Sequence, residues 1–313
     1  MKKTLIASAV AAATLSTSAF AMDPATDLAE MLESMPDIYG NVQVVYTNSD
    51  ADGDTTNGFD DNGSTIGIKH SHAISEGVEG FLKVELEFDA DEDTAGLDQT
   101  DEIYIGVKGD FGSIQYGIDD TVYEWADMVD TSEATGINGG EIAADDEAEN
   151  IQYVSPEIAD GLVVGVTLPV ESDSNFAGAL AAKYSADNLD VVLAYSMGRE
   201  EAGVDAEDTI GLAGTYSMDD ITLIGQYETM SDAADFIGVQ GMYSMGANVF
   251  ALGYGMTSYD ASALEDTSSI YVQALHNVSD NMYVYLEYTT TTDVGGADGA
   301  DLDVLAIGTA YSF

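Results

Sequence analysis

From Pro36 onward, apolar and polar positions alternate with a period of two, in stretches of about ten residues separated by turn-forming clusters. In Asp37 to Thr47, the residues Ile38, Gly40, Val42, Val44 and Tyr46 fall on one face, while Tyr39, Asn41, Gln43 and Thr47 fall on the other. In Gly80 to Asp89, Leu82, Val84, Leu86 and Phe88 oppose Lys83, Glu85, Glu87 and Asp89. A helix would scatter these charges around its axis, so the pattern predicts strands with one oily and one wet face. Further copies are Ile103, Ile105 and Val107; Leu189, Val191, Leu193 and Tyr195; Ile221, Leu223 and Tyr227; and Met282, Val284, Leu286 and Tyr288. The whole chain holds about sixteen such segments.

The connections alternate in length. Short turns (Ala186-Asp187-Asn188, Met218-Asp219-Asp220, Met245-Gly246-Ala247, Ser279-Asp280) alternate with long acidic stretches at 48–63, 90–100, 119–149 and 291–301. Short turns on one rim and long loops on the other predict a closed, antiparallel, all-β transmembrane barrel of about sixteen strands. A soluble sandwich also has period two. Against it stand the tyrosines at the ends of the oily faces (Tyr46, Tyr184, Tyr195, Tyr216, Tyr227, Tyr243, Tyr288, Tyr311), as in an interfacial aromatic girdle. The wet faces, rich in Gly, Ala, Ser, Thr and Gln, also read as too small in side chain for a packed core.

The amino terminus adds the compartment. Lys2 and Lys3, the apolar stretch Thr4 to Ala13 and the small-residue site Ala19-Phe20-Ala21 predict an export signal at 1–21. The stretch is shorter than the roughly 20 residues a spanning helix needs. Residues 22–36 read as a short acidic segment, with a possible amphipathic helix over Asp23 to Met35, and 37–313 as the barrel. The chain carries 58 Asp plus Glu against 7 Lys plus Arg, which disfavours nucleic acid and phosphate surfaces as partners. It contains no cysteine, so disulfides and thiolate metal sites are excluded. The histidines His70, His72 and His276 suggest no Ser-His-acid set, and nothing calls for a cofactor.

At this point the residues resemble those of the general Gram-negative trimeric porins. Tyr39-Gly40-Asn41-Val42 resembles the opening of their first strand and Ser64-Thr65-Ile66-Gly67-Ile68-Lys69 that of the second. The block from Glu102 to Ser113, then Tyr116-Gly117-Ile118-Asp119-Asp120, and Asn150-Ile151-Gln152-Tyr153-Val154-Ser155-Pro156 keep the family's order. Gly308 to Phe313 is similar to its aromatic carboxyl terminus, with Tyr311 and Phe313 as the implied signal to the outer-membrane assembly machinery. The resemblance implies sixteen strands, a homotrimer in outer-membrane lipid, and a third loop folded into the lumen. It departs at the constriction, where Thr65, Glu102 and Ile118 stand at places the family often gives to arginine.

Strand phase turns Glu85, Glu87, Asp89, Glu102 and Tyr104 to the wet side, with Lys69, Lys83 and Lys108 as partners. The third loop adds Asp119, Asp120, Glu124, Asp127, Asp130, Glu133, Glu141, Asp145, Asp146, Glu147 and Glu149, and Trp125, which reads equally as an anchor against the wall and as a partly exposed loop aromatic. A lumen of this balance is expected to favour cations and to pass small hydrophilic solutes. The other reading is an exported structural or adhesive barrel whose acidic loops attract partners or divalent ions. Asp50, Asp52, Asp54 and Asp61 hint at a calcium loop, but Thr55 stands where that motif needs glycine.

Overall fold

The computed structural model describes residues 35–91, 99–137, 142, 148–170, 176–198 and 207–313. The export signal, nearly all of the acidic segment, and Glu141, Asp145, Asp146 and Glu147 lie outside these residues. Seventeen strand segments follow one another: β1 Asp37–Ala51, β2 Asp54–Asp61, β3 Thr65–Ser75, β4 Val78–Glu87, β5 Gln99–Gly109, β6 Gly112–Asp119, β7 Ala148–Val154, β8 Leu162–Pro169 and β9 Phe176–Ala186. After these come β10 Leu189–Gly198, β11 Thr209–Met218, β12 Ile221–Met230, β13 Ala234–Met245, β14 Asn248–Tyr259, β15 Thr267–Ser279, β16 Met282–Thr292 and β17 Leu302–Ser312.

Both β2 and β3 pair antiparallel with β1, one with its later half (Val44↔Asp61 to Ala51↔Asp54) and one with its start (Asp37↔Lys69 to Asn41↔Thr65). They are two halves of one broken staff, so seventeen segments make a barrel of sixteen strands. Asp61 holds the break: its carboxylate accepts from the Gly63 and Ser64 amides at 2.9 Å, the Ala90 amide at 3.1 Å and the Ser64 hydroxyl. The seam closes where β17 pairs with β1 from Asn41↔Ser312 to Ala51↔Leu302. Phe313 finishes it by donating its amide to the Gly40 carbonyl (3.0 Å) and accepting from the Gly40 amide (3.2 Å). Closure pairs the first strand with the last, so neither is left as an open edge, which a strand in hydrocarbon could not tolerate.

Period two sorts the faces as expected. Leu286 is 47% exposed on the outside, whereas its neighbour Glu287 is fully buried on the inside. One segment differs from the sequence reading. Residues 48–63, expected as a long loop, are mostly hairpin, because Asp52 (φ 53°) and Gly53 (φ 91°) make a two-residue turn that lets β1 run straight into β2. Two positive φ values in succession are what a right-twisted hairpin demands, and Asp-Gly supplies them cheaply. The aspartates of the supposed calcium loop serve this hairpin: Asp50 accepts from the Gly53 amide and the Thr55 hydroxyl, each at 2.9 Å, and Asp52 from the Asp301 amide at 3.1 Å.

Candidate functional site

The long connection between β6 and β7 runs along the inner wall, and the wall is shaped to receive it. Its 3₁₀ turn Val122–Ala126 starts at Thr121, whose hydroxyl accepts the Tyr123 amide. Val122, Tyr123 and Ala126 bury against Ala179, Ala181, Val192, Ala194 and Ala213, with Trp125 and Met128 packed at the margin. A Cβ at Gly165 would sit 2.6 Å from Trp125 and 2.7 Å from Val122, and one at Gly238 would sit 2.7 Å from Val129. Where the 3₁₀ turn packs, inward positions such as Gly165, Ala179, Ala181, Ala194, Gly211 and Ala213 are small, which leaves room for the loop as the opposing layer. The wet face expected to stay unpacked is therefore, on this arc, half of a core.

Polar anchors fix the loop's height. Gln226 on β12 accepts the amides of Met128 (2.8 Å) and Val129 (2.9 Å), and Glu228 accepts that of Ile142 (2.9 Å). Glu287 on β16 accepts the amides of Glu133 (2.7 Å), Ala134 (3.0 Å) and Thr135 (3.1 Å), the Gln273 amide group (2.9 Å) and the Tyr271 hydroxyl (3.2 Å). From β2's far end Asn62 donates to the Glu133 carbonyl at 2.7 Å. A buried carboxylate is tolerated only when donors replace its water, and here the backbone of the loop does so.

The wall that the described loop leaves uncovered, β1 and β3 to β5, carries the charge. A bulge between β4 and β5 shifts the register between Val84 and Leu86, so Asp101 and Glu102 both lie opposite Glu85. One oxygen from each of these three carboxylates lies within 4.8 Å of the others. Lys83 pairs with Glu102 and, at 3.8 Å, with Glu85. Lys69, across from Lys83, sets its ammonium 4.3 Å from the centre of the Tyr39 ring, which itself lies over Gly67.

The expected site residues thus divide. Glu85, Glu102, Lys69 and Lys83 come together, with Glu87 one inward position further along β4 and Tyr104 beside Phe81 (6.3 Å between centres). Lys108 does not join them: it pairs with Glu79 at 3.1 Å near the short turns. Asp119 accepts from the Gln115 side chain, the Asp120 carbonyl from Gln152 (2.8 Å), and the Asp127 carboxylate from Gln226 (3.2 Å). Glu124 lies in the 3₁₀ turn, Asp130 binds the Ile137 amide (3.0 Å), and Asp89 is exposed beyond the end of β4. Sequence reasoning passed over Asp101, Gln226, Glu228 and Glu287. A signal existed for the last two, since each is an acid on the wet phase between outward-facing residues.

Burial raises the Asp120 carboxyl above the usual carboxylate range, with the charge of Glu102 adding to it. Burial also raises Asp127, against the Gln226 hydrogen bond, and Glu133, where the Tyr283 hydroxyl opposes and the Glu287 charge reinforces the shift.

The Gram-negative porin family model matches residues 7–296. Over an alignment of 384 residues spanning both chains entirely, the chain is 30% identical to a monosaccharide porin of a Halomonas species and, equally, to the major outer membrane protein of Halomonas elongata. Among solved structures, OmpF of Salmonella typhi in complex with daunomycin superposes with a TM-score of 0.75 at 18% identity, over 90% of this chain and 99% of that one. In-vitro folded OmpT of Vibrio cholerae, in its trimer form, gives 0.69 at 17% identity over 89% and 99%. At such identities the likeness is one of fold.

Proposed function

Since the chain belongs to the Gram-negative porin family and is an outer-membrane channel rather than an enzyme, we propose that it passes small hydrophilic solutes by diffusion and favours cations over anions. The observation that carries the preference is the excess of carboxylate on the uncovered wall. Glu85, Glu87, Asp101 and Glu102 face Lys69 and Lys83. Lys83 is already shared between two of those carboxylates, so its field is largely spent locally. Within a Debye length of about 8 Å at physiological salt, the remaining negative charge enriches cations. Asp120, Glu124, Asp127, Asp130 and Glu133 of the loop add to it. A solute of hexose size fits this reading, as one relative is named a monosaccharide porin.

Single-channel recording in a planar bilayer tests both parts. Discrete conductance steps and a reversal potential of cationic sign across a salt gradient are expected. Chloride preference would refute the selectivity, and a folded barrel without conductance would favour a structural or adhesive role.

The working unit in this proposal is a homotrimer, as in the trimer form of the Vibrio cholerae relative in fold. Its supporting feature is a gap in the aromatic girdle. Outward tyrosines mark β1, β6, β7, β9 to β14, β16 and β17; β8 and β15 lack one singly, but β3, β4 and β5 are three neighbours in a row without any. There, His70, His72, Ile74, Gly80, Leu82 and Ile105 line a concavity of about 470 Å³. Two imidazoles facing hydrocarbon are costly, and a neighbouring protomer would cover them. Cross-linking in native membranes should yield a three-chain species; monomers alone would remove this part of the proposal.

A further inference from the structure

Phe81 stands on the wet phase of β4, where the strand's other inward residues are Glu79, Lys83, Glu85 and Glu87. A phenyl ring turned toward water gives up the free energy that burial would yield. This one is half-buried and belongs to none of the three apolar clusters of the inner wall. Cross-strand pairing sets Ser71 on one side of it and Gly106 on the other, and the ring leans across Gly106, whose missing Cβ makes the room. Covering a glycine accounts for a ring at this place but not for its lack of a hydroxyl. Tyr39 over Gly67 and Tyr285 over Gly308 do the same and carry one.

The surroundings of the ring are polar on every side. Tyr104 meets it edge-on with 6.3 Å between centres, and the Lys108 ammonium stands over it at 5.8 Å, near the outer limit of a cation–π contact. Lys108 pairs with Glu79 at 3.1 Å, and both side chains keep a large part of their surface open. Gln115 follows Gly106 in the same row on β6. Toward the short turns, Glu79 and Lys108 border a concavity of about 530 Å³ that Ser75 and Ser113 also line. One apolar surface ringed by a few convergent polar groups is the usual build of a site for a small polar molecule.

A sugar in ring form has that pattern in reverse, a face of C–H groups and a rim of hydroxyls. Its face suits the phenyl ring, and two neighbouring hydroxyls suit a carboxylate and an ammonium 3.1 Å apart, one accepting and one donating. A small ion or an open-chain polyol presents no such face. We propose that Phe81 and the Glu79–Lys108 pair form a subsite for neutral ring-form sugars, with the phenyl ring against the C–H face and the ion pair bridging two adjacent hydroxyls. The inference rests on the channel reading above and gives its solutes a place to bind.

Titration of the ion current in a planar bilayer with D-glucose tests it, with sorbitol as an open-chain polyol of nearly equal size. Each current is divided by the sugar-free current of the same variant. Glucose should lower the wild-type current saturably, whereas sorbitol should lower it only in proportion to viscosity. Phe81→Leu should raise the glucose midpoint about fivefold, the worth of one aromatic contact. Phe81→Tyr should keep the midpoint near the wild-type value, and Phe81→Met replaces the leucine variant if that one does not fold. Equal, unsaturable effects of glucose and sorbitol on the wild type, or a glucose midpoint indifferent to the loss of the ring, overturn the proposal while leaving the channel intact. Absence of conductance in salt alone would instead take down the channel reading and this inference with it.

Discussion

Glu287→Gln should release the third loop from the wall, lowering the hydrogen-exchange protection of the Glu133, Ala134 and Thr135 amides by about a hundredfold and making the open-channel current larger and noisier. The carboxylate of Glu287 is fully buried and accepts from all three of those amides. Glutamine keeps the shape but offers a donor where two acceptors are needed, and it gives up the charge. Hydrogen bonds to a charged acceptor are worth about 1.5–3 kcal/mol each, and an unsatisfied buried group costs a further 1–3 kcal/mol or so. A net loss of about 3 kcal/mol is a factor of about a hundred in the opening equilibrium. Among the described residues no ion pair reaches Glu287, so no cation is stranded by the change. The barrel itself should still form, because the strand pairing of β16 with β15 and β17 is independent of the loop. Unchanged exchange at the three amides would mean that the apolar seat around Trp125 holds the loop without help.

Neutralising Glu87 and Glu102 together should bring the cation-to-anion permeability ratio down by about fourfold: a unit charge about 8 Å from a passing ion is worth about 0.5 kcal/mol in water, screening over one Debye length leaves about 0.2 kcal/mol, and each of the two charges both attracts the cation and repels the anion. Reversal potentials measure this directly, and an unaltered value would place the selective band elsewhere. Acid should weaken the preference by another route. Asp120, Asp127 and Glu133 bind protons more readily than free carboxylates, so on lowering the pH they lose charge first. The preference should therefore begin to fall above the ordinary carboxylate range of about 4. It should continue to fall as exposed carboxylates titrate within that range. A profile flat down to about pH 4 would show that the loop carboxylates contribute nothing to selectivity.

The strands were legible because membrane and water impose opposite demands on adjacent side chains. Where that contrast ends, so does the signal: Asp54 to Asp61 meets water on both faces, reads as loop, and is β2. The Asp52-Gly53 pair was the local clue that outweighed its composition. The candidate site was legible by phase alone. Period two put Glu85, Glu102, Lys69 and Lys83 on the wet side, and the structure gathers them there, but it gave Lys108 the same standing although that residue sits near the short turns. Asp101 joins the acidic group only through a bulge, which shifts one residue out of the alternation and leaves no mark in the pattern.

By itself, then, the amino-acid order determined that the chain makes strands, which face of most of them is oily, where most of the tight turns fall and that the sheet must close. Each of these follows from near-neighbour alternation and from turn residues able to adopt the required backbone angles. Only the tertiary structure decided which acids gather on the uncovered wall and which hold the loop. Glu287 and Glu102 are indistinguishable as letters on a wet face. One meets the backbone of a loop about 150 residues away in sequence and the other meets Lys83 on the next strand. That difference comes from register and docking between distant segments, which no local periodicity encodes.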